Sequence, residues 1–268
     1  VVLRLLGGES YWPYGVETLR GLAADGGPRI VLLPGDDRPD PGLTGQSNLP
    51  PEACERLRQF FVHGGPGNLR DALAYLCDLL GHATAWREPR PLLRAGLYWP
   101  GGDDPDLDAV RAGWRPSAPV AAVVFYRALL QAATLEPVDA LIAALRQRGV
   151  NPLPIYCTSL KEPVAADTIV HLLREAGAGL VLNATGFAVA APGTSGRPLP
   201  FGAIDGPVLQ VFFGGEGIDG WRQGQRGLPP RELAMNVALP EVDGRILSRA
   251  VAFKDRLRDD AATETSLV

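Results

Sequence analysis

Short apolar runs alternate along this chain with segments in which apolar residues recur at helical spacing. In the first half the apolar runs predict strands at residues 1–6, 30–34 and 95–99. Helices are predicted from the periodic segments at residues 16–24, 52–62 and 69–80. This alternation is typical of an α/β fold with parallel strands.

The second half repeats the pattern more regularly. Strands are predicted at residues 120–126, 152–156, 180–184, 208–213 and 235–239. One helix starts at Pro137 and stops before Gly149, and another covers 165–176 and stops at Gly177. The Pro-, Gly- and Asp-rich stretch 100–119 is interpreted as the crossing between two domains. We therefore expect two Rossmann-like or flavodoxin-like α/β domains with mainly parallel sheets, 1–117 and 118–268.

Aromatic and polar side chains follow the predicted strands of the second half. In open parallel sheets, ligands bind outside the carboxyl ends of the strands. Loops are usually polar, which explains any one of these strand ends, but five together favour a ligand site along this edge. The residues concerned are Tyr126, Arg127, Tyr156, Ser159, Asn183, Thr185, Glu216, Glu241 and Asp243.

Composition and charge narrow the function classes. The chain has 46% hydrophobic and 21% charged residues and a net charge of −4. No basic cluster is present, which argues against nucleic acid as a partner. No apolar run approaches the roughly 20 residues that cross a bilayer, and no signal peptide is evident, so a cytoplasmic protein without membrane contact is expected. The absence of an initiator Met and the apolar start predict a fragment of a longer protein.

Two glycine motifs bear on nucleotide binding. Residues 215–220 (GEGIDG) match the dinucleotide fingerprint GxGxxG, but the Gly- and Pro-containing stretch 221–230 cannot form the helix that would receive a pyrophosphate. A Gly-rich active-site loop is the favoured interpretation. No GxxxxGK[ST] motif occurs, so any ATP that the reaction needs would be hydrolysed by another polypeptide.

Two candidate sites in the first half each have two interpretations. His63 closes a predicted helix, where it either caps the negative end of the helix dipole or handles a metal ion. Glu9, Tyr11 and Trp12 lie in a strand-to-helix turn, where they either plug a domain interface or line a cleft for a large planar ligand.

Glu241 and Asp243 are the candidate carboxylates of the second half. Carboxylates suit a divalent ion and can accept a proton. The alternative is that Asp243-Gly244 is an ordinary turn with Arg245 as the ion-pair partner of the aspartate.

The stretches ELAMNVALPEVDGRI (232–246) and GGESYWPYGVE (7–17) resemble the CobN-type cobaltochelatase large chains, and more distantly the H-type large chains of magnesium chelatase. Four further stretches resemble the same family, namely LLPGDDRPD (32–40), FFVHGGPGN (60–68), VNPLPIYCTSLK (150–161) and RILSRAVAFK (245–254). The resemblance runs nearly end to end and in order, and members of that family are several times longer.

The resemblance implies a subunit that binds a corrin-type tetrapyrrole, hydrogenobyrinic acid a,c-diamide, and inserts Co²⁺ as a substrate on the aerobic route to cobalamin. It implies partner subunits of the AAA+ ATPase class, which would use ATP and Mg²⁺ in place of this segment. By the same analogy Glu241 is the first candidate for metal delivery or base, followed by Asp243 and His63.

The other candidates would bind the ring. Aromatic side chains would hold its plane, while Arg127, Lys161 and Arg245 would pair with its peripheral carboxylates. Two other functions stay open, namely an H-type magnesium chelatase chain acting on protoporphyrin IX and a non-catalytic two-lobed binding module.

Overall fold

The structure is a computed structural model that describes residues 1–23, 27–189, 199–214, 217–223, 228–256 and 263–267. The chain divides into two compact units, Val1–Leu92 and Leu93–Val268. Both contain helices and parallel strands, which confirms the predicted α/β class. No helix within the described ranges is long and apolar enough to cross a membrane.

The first unit is built around two parallel strands, β1 (Val2–Leu5) and β2 (Val31–Pro34), with Val2 opposite Val31. Its helical elements are a 3-10 turn at Glu9–Tyr11, α1 (Pro13–Ala23), α2 (Pro41–Thr44), α3 (Pro51–His63) and α4 (Gly65–Leu79).

Strand β2 is buried along its whole length because helices cover both faces. Val31 and Leu33 pack on Leu57 and Phe60 of α3, whereas Leu32 packs in the opposite direction with Val16 of α1. Successive strand side chains point to opposite faces, so a continuous apolar run is what this position needs.

The second unit is larger. Its strands are β3 (Ala95–Leu97), β4 (Val120–Tyr126), β5 (Asn151–Cys157), β6 (Ala178–Asn183), β7 (Val208–Gly214), β8 (Ile246–Arg256) and β9 (Thr263–Leu267). Its helices are α5 (Leu107–Arg111), α6 (Arg127–Gln131), α7 (Glu136–Gln147), α8 (Pro163–Ala176), a 3-10 turn at Pro200–Ala203, α9 (Ile218–Gln223), α10 (Pro230–Leu233), a π-turn at Ala234–Ala238 and α11 (Leu239–Val242).

The sheet of the second unit has the order β3-β5-β4-β6-β7-β8-β9. Strands β5, β4, β6, β7 and β8 are mutually parallel, and β3 and β9 add antiparallel edges. Counted along the chain, the parallel strands follow the flavodoxin-like order 2-1-3-4-5. In that order the connections leave in opposite directions from β4 and its neighbour β6, and ligands bind at the carboxyl end of this switch point.

One predicted strand is wrong. Residues 235–239 lie in the π-turn and the start of α11, and the fifth parallel strand is Ile246–Arg256 instead. Four apolar residues in a stretch of five, interrupted by Asn236, fit a partly buried helical turn as well as a strand, so periodicity alone does not separate the two.

The predicted strand at 95–99 exists, but it belongs to the second unit. Strand β3 pairs antiparallel with β5, Gly96 opposite Tyr156, and Leu107 and Val110 of α5 pack in the core of that same unit. The two units therefore divide between Leu92 and Leu93, whereas the sequence prediction placed the boundary between 117 and 118. Local composition marked 100–119 as a linker, but Leu107 and Val110 within it are buried.

Candidate functional site

A small pocket of about 160 Å³ lies at the switch point of the second unit. Three neighbouring segments line it, which are Tyr126 at the end of β4, residues 159–161 after β5 and residues 186–189 after β6. Three sequence candidates, Tyr126, Ser159 and Lys161, thus meet at one place. We call this the switch-point pocket.

Tyr126 joins two walls of the switch-point pocket. Its hydroxyl donates a hydrogen bond to the carbonyl oxygen of Gly186 at 2.9 Å. Burial raises the pKa of Tyr126, with the thiol of Cys157 adding to the effect and Arg245 opposing it. The phenol therefore stays protonated at neutral pH and remains the donor of this bond.

Residues 159–161 form a turn ahead of α8. The Ser159 hydroxyl oxygen accepts the backbone N–H of Lys161 at 3.1 Å, and Glu162 caps the helix by accepting the N–H of Ala165 at 2.8 Å. Lys161 is exposed at the pocket, and its ammonium has no hydrogen-bond or ion-pair partner among the described residues. It is the cationic side chain of the pocket lining.

Residues 186–189 are held from behind by a buried ion pair. The Arg245 guanidinium lies 2.9 Å from the Asp243 carboxylate, and both side chains are only 1% exposed. Asp243 accepts the backbone N–H of Val189 at 2.7 Å, while Arg245 donates to the carbonyl oxygens of Thr185, at 3.1 Å, and Phe187. Burial lowers the pKa of Arg245, and Asp243 counteracts this shift.

Asn183 and Thr185 belong to the same buried network. Asn183 donates to the Gln210 side chain at 2.7 Å, the Thr185 hydroxyl donates to Asn183 at 2.9 Å, and Gln210 donates back to the Thr185 carbonyl at 2.8 Å. These groups satisfy one another beneath the pocket and do not line it. The sequence prediction did not include Gln210, although a lone amide in the apolar strand VLQVFFG was a visible signal.

Tyr156 and Arg127 lie away from the switch-point pocket lining. Tyr156 is buried in β5 so close to β3 that a Cβ at Gly96 would lie 2.7 Å from its hydroxyl oxygen, and burial raises its pKa to about 12. Arg127 begins α6 and donates to the carbonyl oxygen of Leu93 at 3.2 Å.

Glu241 and Asp243 do not form a facing pair of carboxylates. Glu241 is exposed on α11, ahead of β8, whereas the Asp243 side chain is buried against Arg245. The expectation that both follow the carboxyl end of a strand is therefore wrong, because the segment before them is helical. No group of three or more potential metal ligands occurs within the described ranges.

In the first unit, His63 is the last residue of α3, followed by Gly64 at φ 62°. It lines an open groove of about 680 Å³ that also includes Glu52, Glu55 and Glu88. Arg56 crosses this groove, with an ion pair to Glu88 at 2.9 Å and its guanidinium over the ring of Trp86.

The aromatic turn of the first unit is exposed. Tyr11 is 75% and Trp12 43% exposed, and Glu9 forms an ion pair with Arg20 at 3.3 Å. The Trp12 indole lies flat on Gly15 of α1, where a Cβ would overlap the ring. The remaining sequence candidate, Glu216, lies outside the described residues.

Residues 58–268 match the family model described as CobN/Magnesium Chelatase, so the chain belongs to the CobN/magnesium chelatase family. This confirms the resemblance seen in the sequence. Within the family, the whole chain is 41% identical to the aerobic cobaltochelatase subunit CobN of a Sinorhizobium species and to that of Pseudomonas aeruginosa, of which it covers 22% and 21%.

Two further proteins are similar to this chain at lower identity. The H-type magnesium-chelatase chain of Cereibacter sphaeroides is 26% identical over 69% of this chain and 17% of that protein. The catalytic subunit of cobaltochelatase from Mycobacterium tuberculosis has a TM-score of 0.77 and 29% identity, covering 100% of this chain and 22% of the other. The chain therefore spans about a fifth of the length of these relatives.

Proposed function

We propose that this chain is a segment of the tetrapyrrole-binding large subunit of an ATP-dependent cobaltochelatase. The complete enzyme would be a ligase that forms nitrogen–metal bonds, inserting Co²⁺ into hydrogenobyrinic acid a,c-diamide during aerobic cobalamin synthesis. The observation that carries the proposal is the 41% identity to two CobN subunits over the entire chain. ATP hydrolysis would fall to separate AAA+ subunits, and the segment alone would be inactive because it spans about a fifth of such a subunit.

Metal insertion requires that water leave the ion and that protons leave the ring nitrogens. An exposed carboxylate can hold the ion and accept a proton, and Glu241 offers one on α11. Asp243 is less suited, because its carboxylate is already engaged by Arg245 and the Val189 N–H. We therefore assign Glu241 the role of metal delivery or base.

The test is Glu241→Gln in the full-length subunit, reconstituted with its ATPase partners, ring, Co²⁺ and ATP. We expect the chelation rate to fall by about 100-fold or more, the usual range for loss of a general base, with ring affinity unchanged. Glu175→Gln is the matched control, since Glu175 is likewise an exposed glutamate near the end of a helix, in the last turn of α8. Undiminished chelation by Glu241→Gln would refute the role of Glu241.

The metal is tested in the same assay by offering Mg²⁺ with protoporphyrin IX. We expect no insertion, in line with the higher identity to CobN subunits (41%) than to the H-type magnesium-chelatase chain (26%). Insertion of Mg²⁺ in preference to Co²⁺ would replace the cobalt assignment with the magnesium one.

A further inference from the structure

We propose that the switch-point pocket binds one peripheral carboxylate arm of the tetrapyrrole, and that Lys161 is the cation that selects the arm. The inference rests on the proposed function and deepens it, because it places an edge of the ring, and not its centre, at this pocket.

The size of the pocket excludes the ring itself. Cavities that enclose drug-sized ligands measure about 300–1,000 Å³, and a corrin macrocycle is larger than such ligands. The switch-point pocket measures about 160 Å³, which suits a short aliphatic chain with a terminal carboxylate.

The residues that line the pocket complement both parts of such an arm. Leu160, Phe187 and Val189 provide apolar contact for methylene groups, while Ser159 and Lys161 provide polar atoms. The Ser159 oxygen already accepts the Lys161 N–H, so its own O–H is left to donate. A hydroxyl and an ammonium from the lining of one pocket can together bind a carboxylate by charge-assisted hydrogen bonds.

The two arginines that were also predicted to pair with ring carboxylates do not line the pocket. Arg245 is 1% exposed and committed to Asp243, and Arg127 donates to the Leu93 carbonyl away from the pocket lining. Of the three, Lys161 is the cation at the pocket.

The pocket is also preorganised. Its far wall is fixed by three hydrogen bonds: the Tyr126 hydroxyl donates to Gly186, the Val189 N–H donates to Asp243, and the Arg245 guanidinium donates to the Phe187 carbonyl. A wall that does not have to be ordered on binding loses less entropy, so a single arm can contribute measurably to affinity.

The experiment measures binding to the full-length subunit by isothermal titration calorimetry, with two forms of the ring. One is hydrogenobyrinic acid a,c-diamide, and the other is the same ring with its peripheral carboxylates converted to methyl esters. The variants are Lys161→Met, which keeps the aliphatic stem, Lys161→Arg, which keeps the charge, and Arg174→Met, which removes an exposed cation from the opposite edge of the sheet.

We expect Lys161→Met to weaken binding of the acid about 10-fold, the size of one charge-assisted hydrogen bond, and to leave binding of the ester unchanged. The affinity of Lys161→Arg for the acid should stay within a few-fold of that of the unmodified protein, and the affinity of Arg174→Met should equal that of the unmodified protein.

Equal loss for acid and ester in Lys161→Met would overturn the arm subsite while leaving tetrapyrrole binding intact. An unchanged affinity of Lys161→Met for the acid would also overturn the arm subsite. If the unmodified protein binds neither ring, the proposed function and the subsite both fail, so the two failures are distinguishable.

Discussion

Arg245 is the bulkiest of the almost fully buried side chains in the described part of the chain, and it carries a charge. A buried guanidinium is tolerated only when it is paired and hydrogen-bonded. Asp243 supplies the charge, and the carbonyls of Thr185 and Phe187 accept two further bonds. The pair therefore fastens the loop after β6 to the turn before β8.

Asp243→Asn should loosen this loop. The substitution leaves Arg245 buried without a counter-charge, which typically costs about 3–5 kcal/mol. We expect faster hydrogen exchange at residues 184–189, and at the Val189 amide in particular, in the full-length subunit measured by mass spectrometry.

Asp108→Asn is the matched control because Asp108 pairs with Arg111 at 3.5 Å on the surface, where such pairs contribute about 0–1 kcal/mol. Unchanged exchange in both variants would show that the buried pair does not hold the loop.

The three cysteines should differ sharply in reactivity. Burial raises the pKa of Cys157 to about 12 and raises the pKa of Cys54 as well, whereas Cys77 is exposed. Since the thiolate is the reactive form, iodoacetamide at pH 8 should label Cys77 in the native protein and leave the other two until denaturant is added. Peptide mass spectrometry measures this, and native labelling of Cys157 would show that its strand opens.

At the scale of secondary-structure elements, residues 230–242 show that the local pattern of apolar residues does not always distinguish a helix from a strand. Pro230 sits in the first turn of α10, where its missing N–H costs little, whereas Pro240 directly follows the π-turn that joins α10 to α11. The apolar letters at 235–239 predicted a strand, because the choice between a half-buried helix and a strand depends on packing partners far away in sequence. Strands β4 to β7 were predictable because each is a run of apolar residues bounded by turn signals.

Helix α1 allows a matched test of the aromatic turn. Gly15 lies under the Trp12 indole, whereas Gly21 has open space around it. Replacing a helical glycine with alanine ordinarily stabilises the helix by about 0.5–1 kcal/mol. Gly21→Ala should show that gain as slower hydrogen exchange in α1, whereas Gly15→Ala must displace the indole.

If Trp12 contacts the ring, Gly15→Ala should also weaken ring binding severalfold in the full-length subunit while Gly21→Ala leaves it unchanged. Identical binding by the two variants would remove Trp12 from the ligand site and favour the interface interpretation of this turn.

At the scale of the whole molecule, each unit has its own core. The cluster that includes Leu97, Leu107 and Val110 draws on the second unit alone, and the clusters around β2 draw on the first. The division after Leu92 could not be predicted from composition, because the Gly- and Pro-rich stretch that resembles a linker carries buried side chains.

A polypeptide of residues 93–268 should therefore fold on its own, with cooperative thermal unfolding followed by circular dichroism. A shorter polypeptide of residues 118–268 should unfold at a markedly lower temperature or aggregate. It lacks β3 and the buried Leu97, Leu107 and Val110, and burial of each of these side chains stabilises the fold by about 1.5–3 kcal/mol. Equal stability of the two would place the boundary at 117.

The rule that ligands bind at the carboxyl edge predicted part of the candidate site. Tyr126, Ser159 and Lys161 meet at the switch-point pocket, as parallel strand ends should. Asn183, Thr185 and Arg245 were expected to face a ligand too, but they are hydrogen-bonded to one another below it. Residue type and strand position do not reveal which polar groups hydrogen-bond within the protein and which face a ligand.

The buried Asp243–Arg245 ion pair has a consequence for how the pocket forms while the chain is being translated. Asp243 and Arg245, which fix residues 186–189, come after β7 in the chain. During translation β4, β5 and β6 can pair and Tyr126 can bond to Gly186 before either residue has left the ribosome, but Val189 and the carbonyls of Thr185 and Phe187 then lack their partners. The site is thus completed only by residues made later than its walls, and a nascent chain arrested before Asp243 would present an assembled sheet edge without a formed pocket.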